Sequence, residues 1–179
     1  LSYGGAIYNT GTLTNGITNS NFIRNYIEGT GNVSGGAIYN SASINANGIL
    51  GNFTGNYAKT TGSSNSALGG AIYNYSRYSS DTVAKISGDF IDNYVSSAYV
   101  AQGGALYNRM KITSIADSNF SGNHVDSSTT STSSSLKIAG GAIYNTGYTI
   151  GEIKNTKFSN NYVKNTGANV ASGGAIYNE

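Results

Sequence analysis

The chain has 179 residues, a net charge of +2 and only 10% charged residues, against about 25% in ordinary soluble domains. Near-neutrality without any run of Lys or Arg excludes an electrostatic footprint for nucleic acid or anionic lipid, and zero cysteines exclude disulfides and thiolate metal sites. Zero prolines suit a chain of hydrogen-bonded ladders, because each proline would remove a donor.

The first element in chain order is the hexapeptide GGAIYN at residues 4–9. It returns at 35–40, 69–74, 140–145 and 173–178, with GGALYN at 103–108. The intervals are 31, 34, 34, 37 and 33 residues. Its fourth position is always Ile or Leu, so that side chain is placed inward. Period-two alternation then sends Asn9, Asn40, Asn74, Asn108, Asn145 and Asn178 inward. The same alternation sends Tyr8, Tyr39, Tyr73, Tyr107, Tyr144 and Tyr177 outward. The two glycines suit a corner too tight for a Cβ.

Next comes a short alternating strand, as at 13–19, 44–50, 83–87 and 150–155. It leads into the motif F-x-x-N, with Phe22, Phe53, Phe90, Phe120 and Phe158 as a core ladder. The two positions after each Phe vary freely, as at a corner. The motif asparagines are Asn25, Asn56, Asn93, Asn123 and Asn161. Two residues beyond them come Ile27, Ala58, Val95, Val125 and Val163, uniformly apolar, so these asparagines also point inward. An inward corner Asn can bond its own backbone and the Asn of the next coil, and it tolerates the left-handed turn that corners need. Tyr26, Tyr57, Tyr94, His124 and Tyr162 then face out. The segment before the next Gly pair is the most variable in length. Its longest instance holds nine consecutive Ser or Thr residues, 127–135, and is read as loop growth on a rigid rod, with a binding edge as the alternative.

A period of about 34 residues also fits helical repeats. Gly, Asn, Ser and Thr in every unit weaken helix interiors, and no i, i+3, i+4, i+7 apolar stripe persists. Short β-branched and aromatic runs bounded by Gly, Asn and Ser indicate strands. The expected fold is therefore all-β: a right-handed, single-stranded parallel β-helix with three short strands per coil. Residues 1–179 form one continuous array of about five coils, about 24 Å long at ~4.8 Å per coil. The array is expected to be an excerpt of a longer one, without its caps.

GGA[ILV] paired with F-x-x-N resembles the repeat signature of the chlamydial polymorphic outer-membrane proteins. More broadly, it is similar to the β-helix passenger domains of bacterial autotransporters and surface adhesins. The resemblance spans essentially the whole chain. It implies a secreted or cell-surface β-helix, tethered to the outer membrane by a domain not present here.

The outward Tyr ladder (Tyr8 to Tyr177) is the candidate recognition surface, offering aromatic rings to a host or environmental glycan or a surface protein. The structural alternative is that the rings stabilise one another. His124 stands where other coils carry Tyr, with Asp126 the one acid near it in sequence. Glycan-cleaving β-helices need convergent carboxylates. Here no two acids share a register in adjacent coils, and only Asp89 and Asp92 lie close. The Asp of glycine-rich calcium rolls is missing after every Gly pair. The expected function is a non-catalytic adhesin stalk or binding scaffold, with no catalytic residue, cofactor or metal and no 18-residue apolar stretch to insert in a membrane. The alternatives are a glycan-active enzyme segment and a self-assembling extracellular fibre, in which exposed strand edges associate end to end.

Overall fold

Each coil of the chain lays a strand beside its counterpart in the next coil. In the computed structural model, which describes residues 1–133, 136–167 and 170–179, every strand pairing is parallel and no helix forms among these residues. The strands sort into four sheets. Sheet 2 holds the hexapeptide strands, from Ile7–Asn9 to Ile176–Asn178. Sheet 3 holds the strands that end in Phe (Ile17–Ile23, Ile49–Thr54, Thr82–Ile91, Lys111–Ser121 and Ile150–Ser159). Sheet 4 holds the strands after the motif Asn, from Tyr26–Gly29 to Tyr162–Asn165. These are the three strands that the alternation indicates. Sheet 1 is an addition: strands of two or three residues just before each Gly pair, such as Val33–Ser34 and Val100–Gln102. Such short strands inside a segment of varying length carry no alternation signal.

Registers follow the motifs. Ile38, Tyr39 and Asn40 pair with Ile72, Tyr73 and Asn74, and these with Leu106, Tyr107 and Asn108. Phe53, Phe90 and Phe120 align likewise. Their rings stack at 4.8 and 4.5 Å and are fully buried.

The interior has two lobes. One packs the Phe, Ile and Ala columns of sheets 2 and 3. The other packs Val33, Ala67, Ala101 and Ile138 of sheet 1 against Ala58, Val95 and Val125 of sheet 4. Between them the two walls touch. In every pair but the last, a Cβ on the second glycine would overlap a carbonyl on both sides: at Gly70, those of Gly104 in the next coil and of Tyr94 across the interior. The first glycine has a different reason, a left-handed backbone (φ 65° at Gly69). The pair therefore turns the chain with one residue and closes the walls with the other.

Both Asn columns form continuous ladders. In the first, each Nδ2 donates to the next Oδ1 at 2.7–2.8 Å from Asn9 through Asn40, Asn74, Asn108 and Asn145 to Asn178. Asn40 and Asn108 also donate to Ala42 and Met110 of their own coil. In the second, the backbone N–H and Nδ2 of Asn56 both donate to Asn93 Oδ1, and Asn93 does the same to Asn123. Asn93 Nδ2 also reaches the Phe53 carbonyl in the preceding coil. The left-handed turn belongs to the residue before this Asn: Arg24, Gly55, Asp92, Gly122 and Asn160 all have φ between 54° and 67°. That corrects the expectation that the ladder Asn itself adopts it. With side-chain bonds on both flanks, the Asn is held in ordinary backbone while its neighbour makes the bend.

The corner after sheet 4 is built by side-chain oxygens. Thr60, Ser97, Ser127 and Asn165 end their strands, and each accepts from the N–H two residues on. The Ser/Thr tract extends this pattern. Thr129 is buried and accepts from Ser131 N–H, and Ser131 accepts from Ser133 N–H. Residues 134 and 135 of that tract lie outside the described residues.

Candidate functional site

The hexapeptide tyrosines of sheet 2 pack along its boundary with sheet 1. Tyr107 and Tyr144 pack with Ala139, and Leu68, Tyr73 and Tyr177 pack against them, as an apolar cluster separate from the interior. The rings stack from Tyr8 to Tyr177 at 4.9–5.4 Å, with interplanar angles of 8–23°. Tyr107 and Tyr144 are only 8% and 3% exposed, whereas Tyr8 is 57% exposed. Burial pushes the Tyr73 and Tyr144 phenols well above their ordinary value. Tyr144 is raised further by donating to Glu179 Oε2 at 2.9 Å. The Tyr39 phenol is raised by burial first and then by Tyr3, Tyr8 and Tyr75, with Arg77 pulling the other way. In this column most ring faces are taken by neighbouring rings, so its centre offers edges and hydroxyls.

The second aromatic column runs along sheet 4. Tyr26, Tyr57, Tyr94, His124 and Tyr162 stack at 4.7–5.1 Å with interplanar angles of 5–13°. Its end members are exposed and its middle ones half-buried. The substituted His124 keeps the stack. Its Nδ1 lies 3.1 Å from the Gly122 carbonyl and its Nε2 lies 3.6 Å from Asp126. Two residues along the same strands runs the register column Glu28, Lys59, Ser96, Asp126 and Lys164. Lys59 Nζ is 3.0 Å from Glu28, which holds the ammonium above its ordinary value. At Ser96 the column lacks a long side chain, and a cleft of about 310 Å³ opens there, lined mainly by hydroxyls with Asp126 and Lys164.

A third feature interrupts the sheet 2 face and has no counterpart in the sequence analysis. The column beside the tyrosines reads Ser41, Tyr75, Arg109, with Tyr75 in register with Arg109. Tyr75 lies 6.0 Å from Tyr73. Since Tyr39 and Tyr107 cover both faces of Tyr73, Tyr75 stands beside that ring. The Arg109 guanidinium sits 5.4 Å over the Tyr75 ring from the next coil. On the preceding-coil side stands Ser41, and there a hollow of about 290 Å³ opens, lined by Thr10, Tyr39, Ser41, Tyr75, Arg77 and Tyr78. The signal in the sequence was GGAIYNY, the one hexapeptide followed by an aromatic residue.

Among the described residues no group of three or more His, Asp or Glu is placed to hold a metal. No protein-family model, no curated protein and no solved structure matches this chain.

Proposed function

We propose that this β-helix is a non-catalytic binding scaffold or adhesive stalk of a bacterial secreted or cell-surface protein, whose ligand is a glycan or a surface protein. The observation that carries it is the aromatic column of sheet 4 with its charged companion column. Five stacked rings stand outside both core lobes, in line with Glu28, Lys59, Asp126 and Lys164. The interior does not require rings there, and contiguous exposed aromatic surface on a rigid support is the usual form of a recognition site. The motif resemblance to autotransporter passenger domains supports the bacterial surface setting. The test is adhesion of the labelled chain to a glycan array and to immobilised cell-surface proteins, beside a Tyr57→Ser/Tyr94→Ser variant. The expected result is retained binding for the parent chain and loss for the variant. A parent chain that adheres to nothing overturns the proposal.

A further inference from the structure

The hollow beside Tyr75 offers what the inner rings of the aromatic columns do not, a ring face open to a ligand. Inside both columns each ring is covered on either side at about 5 Å. Tyr75 carries Arg109 over its ring from the next coil, and the small Ser41, which follows Asn40 as Tyr75 follows Asn74, lines the hollow with it. The roof comes from the loop after Tyr75, which is pinned. Ser76 Oγ donates to Asp81 at 2.5 Å, Asp81 also accepts from Ser43 of the preceding coil at 2.9 Å, and Tyr78 N–H donates to Ser76 Oγ at 3.0 Å. At the apex of this fixed loop Tyr78 is 70% exposed, and no interior contact accounts for an aromatic residue there.

The charges point one way. Arg77 lines the hollow and has no carboxylate partner among the described residues, and Arg109 stands behind Tyr75. The loop's own carboxylate, Asp81, is turned onto Ser43 and Ser76. Thr10, Ser41 and Tyr39, each bearing a hydroxyl, complete the lining, with the Ser41 hydroxyl donating to the Asn9 carbonyl at 3.4 Å. Each can donate and accept, as sugar hydroxyls do. A volume of about 290 Å³ lies at the small end of ligand sites, suited to one ring of a chain.

We propose that this hollow binds a carboxylate-bearing sugar residue, with the apolar face of the pyranose on Tyr75, its carboxylate on the Arg77 guanidinium and its hydroxyls on Thr10, Ser41 and Tyr39. A guanidinium fork matches a carboxylate in two parallel hydrogen bonds. This assignment rests on the binding-scaffold reading and adds to it a second site and a ligand class.

The probes are a galacturonate trimer, its methyl ester and the neutral maltotriose, titrated into the whole chain by calorimetry and ligand-observed NMR. The acid is expected to bind at least about tenfold more tightly than the ester or the neutral trimer, a difference of one charge-assisted contact. Arg77→Gln, a change on an exposed loop, is expected to abolish that preference. Ser41→Phe would continue the ring column into the hollow and is expected to abolish binding of the acid with the circular dichroism of the fold retained. Tyr75→Ala is expected to weaken the acid about tenfold or more. Equal affinity for acid and ester, or unchanged binding by Ser41→Phe and Tyr75→Ala, overturns the assignment. If none of the trimers binds while the parent chain still adheres to the array, this site falls and the scaffold stands. If the chain adheres to nothing at all, both fall.

Discussion

Gly70 and Gly11 separate two uses of glycine. At Gly70 an added Cβ meets carbonyls of two walls, neither of which can withdraw without breaking a ladder. Gly70→Ala is expected to cost more than about 4 kcal/mol, in the range reserved for core disruption, and urea denaturation should show a large drop in midpoint. Gly11 has open space around its missing Cβ and an ordinary φ, so Gly11→Ala is expected to be neutral or to stabilise by about 0.5 kcal/mol through the unfolded chain. Asn93 makes a sharper case. It is fully buried, its Oδ1 takes two donors from Asn56, and its Nδ2 serves Phe53 and Asn123. Asn93→Ala leaves the Asn56 N–H and the Phe53 carbonyl without these side-chain partners and is expected to cost about 2–4 kcal/mol. Equal stability of the variant in the same urea experiment refutes the ladder's role.

At the scale of the element, the stacked Tyr column of sheet 2 ties stability to pH. The Tyr73, Tyr107 and Tyr144 phenols are raised above their ordinary value of 10.0, chiefly by burial. The folded state therefore holds these protons more tightly than the unfolded chain, whose tyrosines titrate near 10. Their contribution is complete below about pH 10 and is lost as pH rises beyond it. The melting temperature is expected to stay level from pH 7 to 9 and to fall above about 10. In an ultraviolet titration the Tyr73, Tyr107 and Tyr144 phenols should ionise only as the fold opens. A column that titrates in one step near 10 refutes this. The sheet 3 column has no such dependence. Phe90→Ala is expected to cost about 3–5 kcal/mol at any pH, since the Phe53 and Phe120 rings on either side lose their partner.

Much of the element scale was legible because alternation is strict wherever one side chain must enter the core. Ile72, Asn74 and Phe90 were placed inward and Tyr73 outward from pattern alone, and they lie so. The missed features depend on distances between segments far apart in sequence. That a Cβ would clash at the glycine pair was legible, but not that Tyr94 across the interior is one of the groups it meets, and the hollow brings Ser41 to Tyr75 from 34 residues away. The left-handed residue at the F-x-x-N corner was missed for another reason. Arg24 and Asp92 fill it in two coils, where glycine or asparagine would have signalled it.

Over the whole molecule, each unit packs on its neighbours, and loops lie where neither ladder passes. Insertion sites should therefore differ sharply in cost. Four Gly/Ser residues placed between the exposed Ser63 and Ser64, neither of which bonds a neighbouring coil in the ladders, are expected to cost about 1 kcal/mol or less, since only the 3.4 Å bond from Asn65 N–H to the Gly62 carbonyl spans the site. A single residue placed between Asp92 and Asn93 displaces the amide from four bonds and is expected to lower the urea midpoint far more. Similar costs at the two sites would contradict this account.

The two amides per coil also explain how the array tolerates unequal units. Successive F-x-x-N asparagines are 31, 37, 30 and 38 residues apart. The Phe rings beside them nevertheless repeat at 4.7, 4.8, 4.5 and 5.1 Å. Residues added to a coil thus leave the pitch untouched and swell the cross-section. Such a rod can acquire bulk, new corners or new hollows like the one beside Tyr75 by widening, while its height is set only by the number of turns.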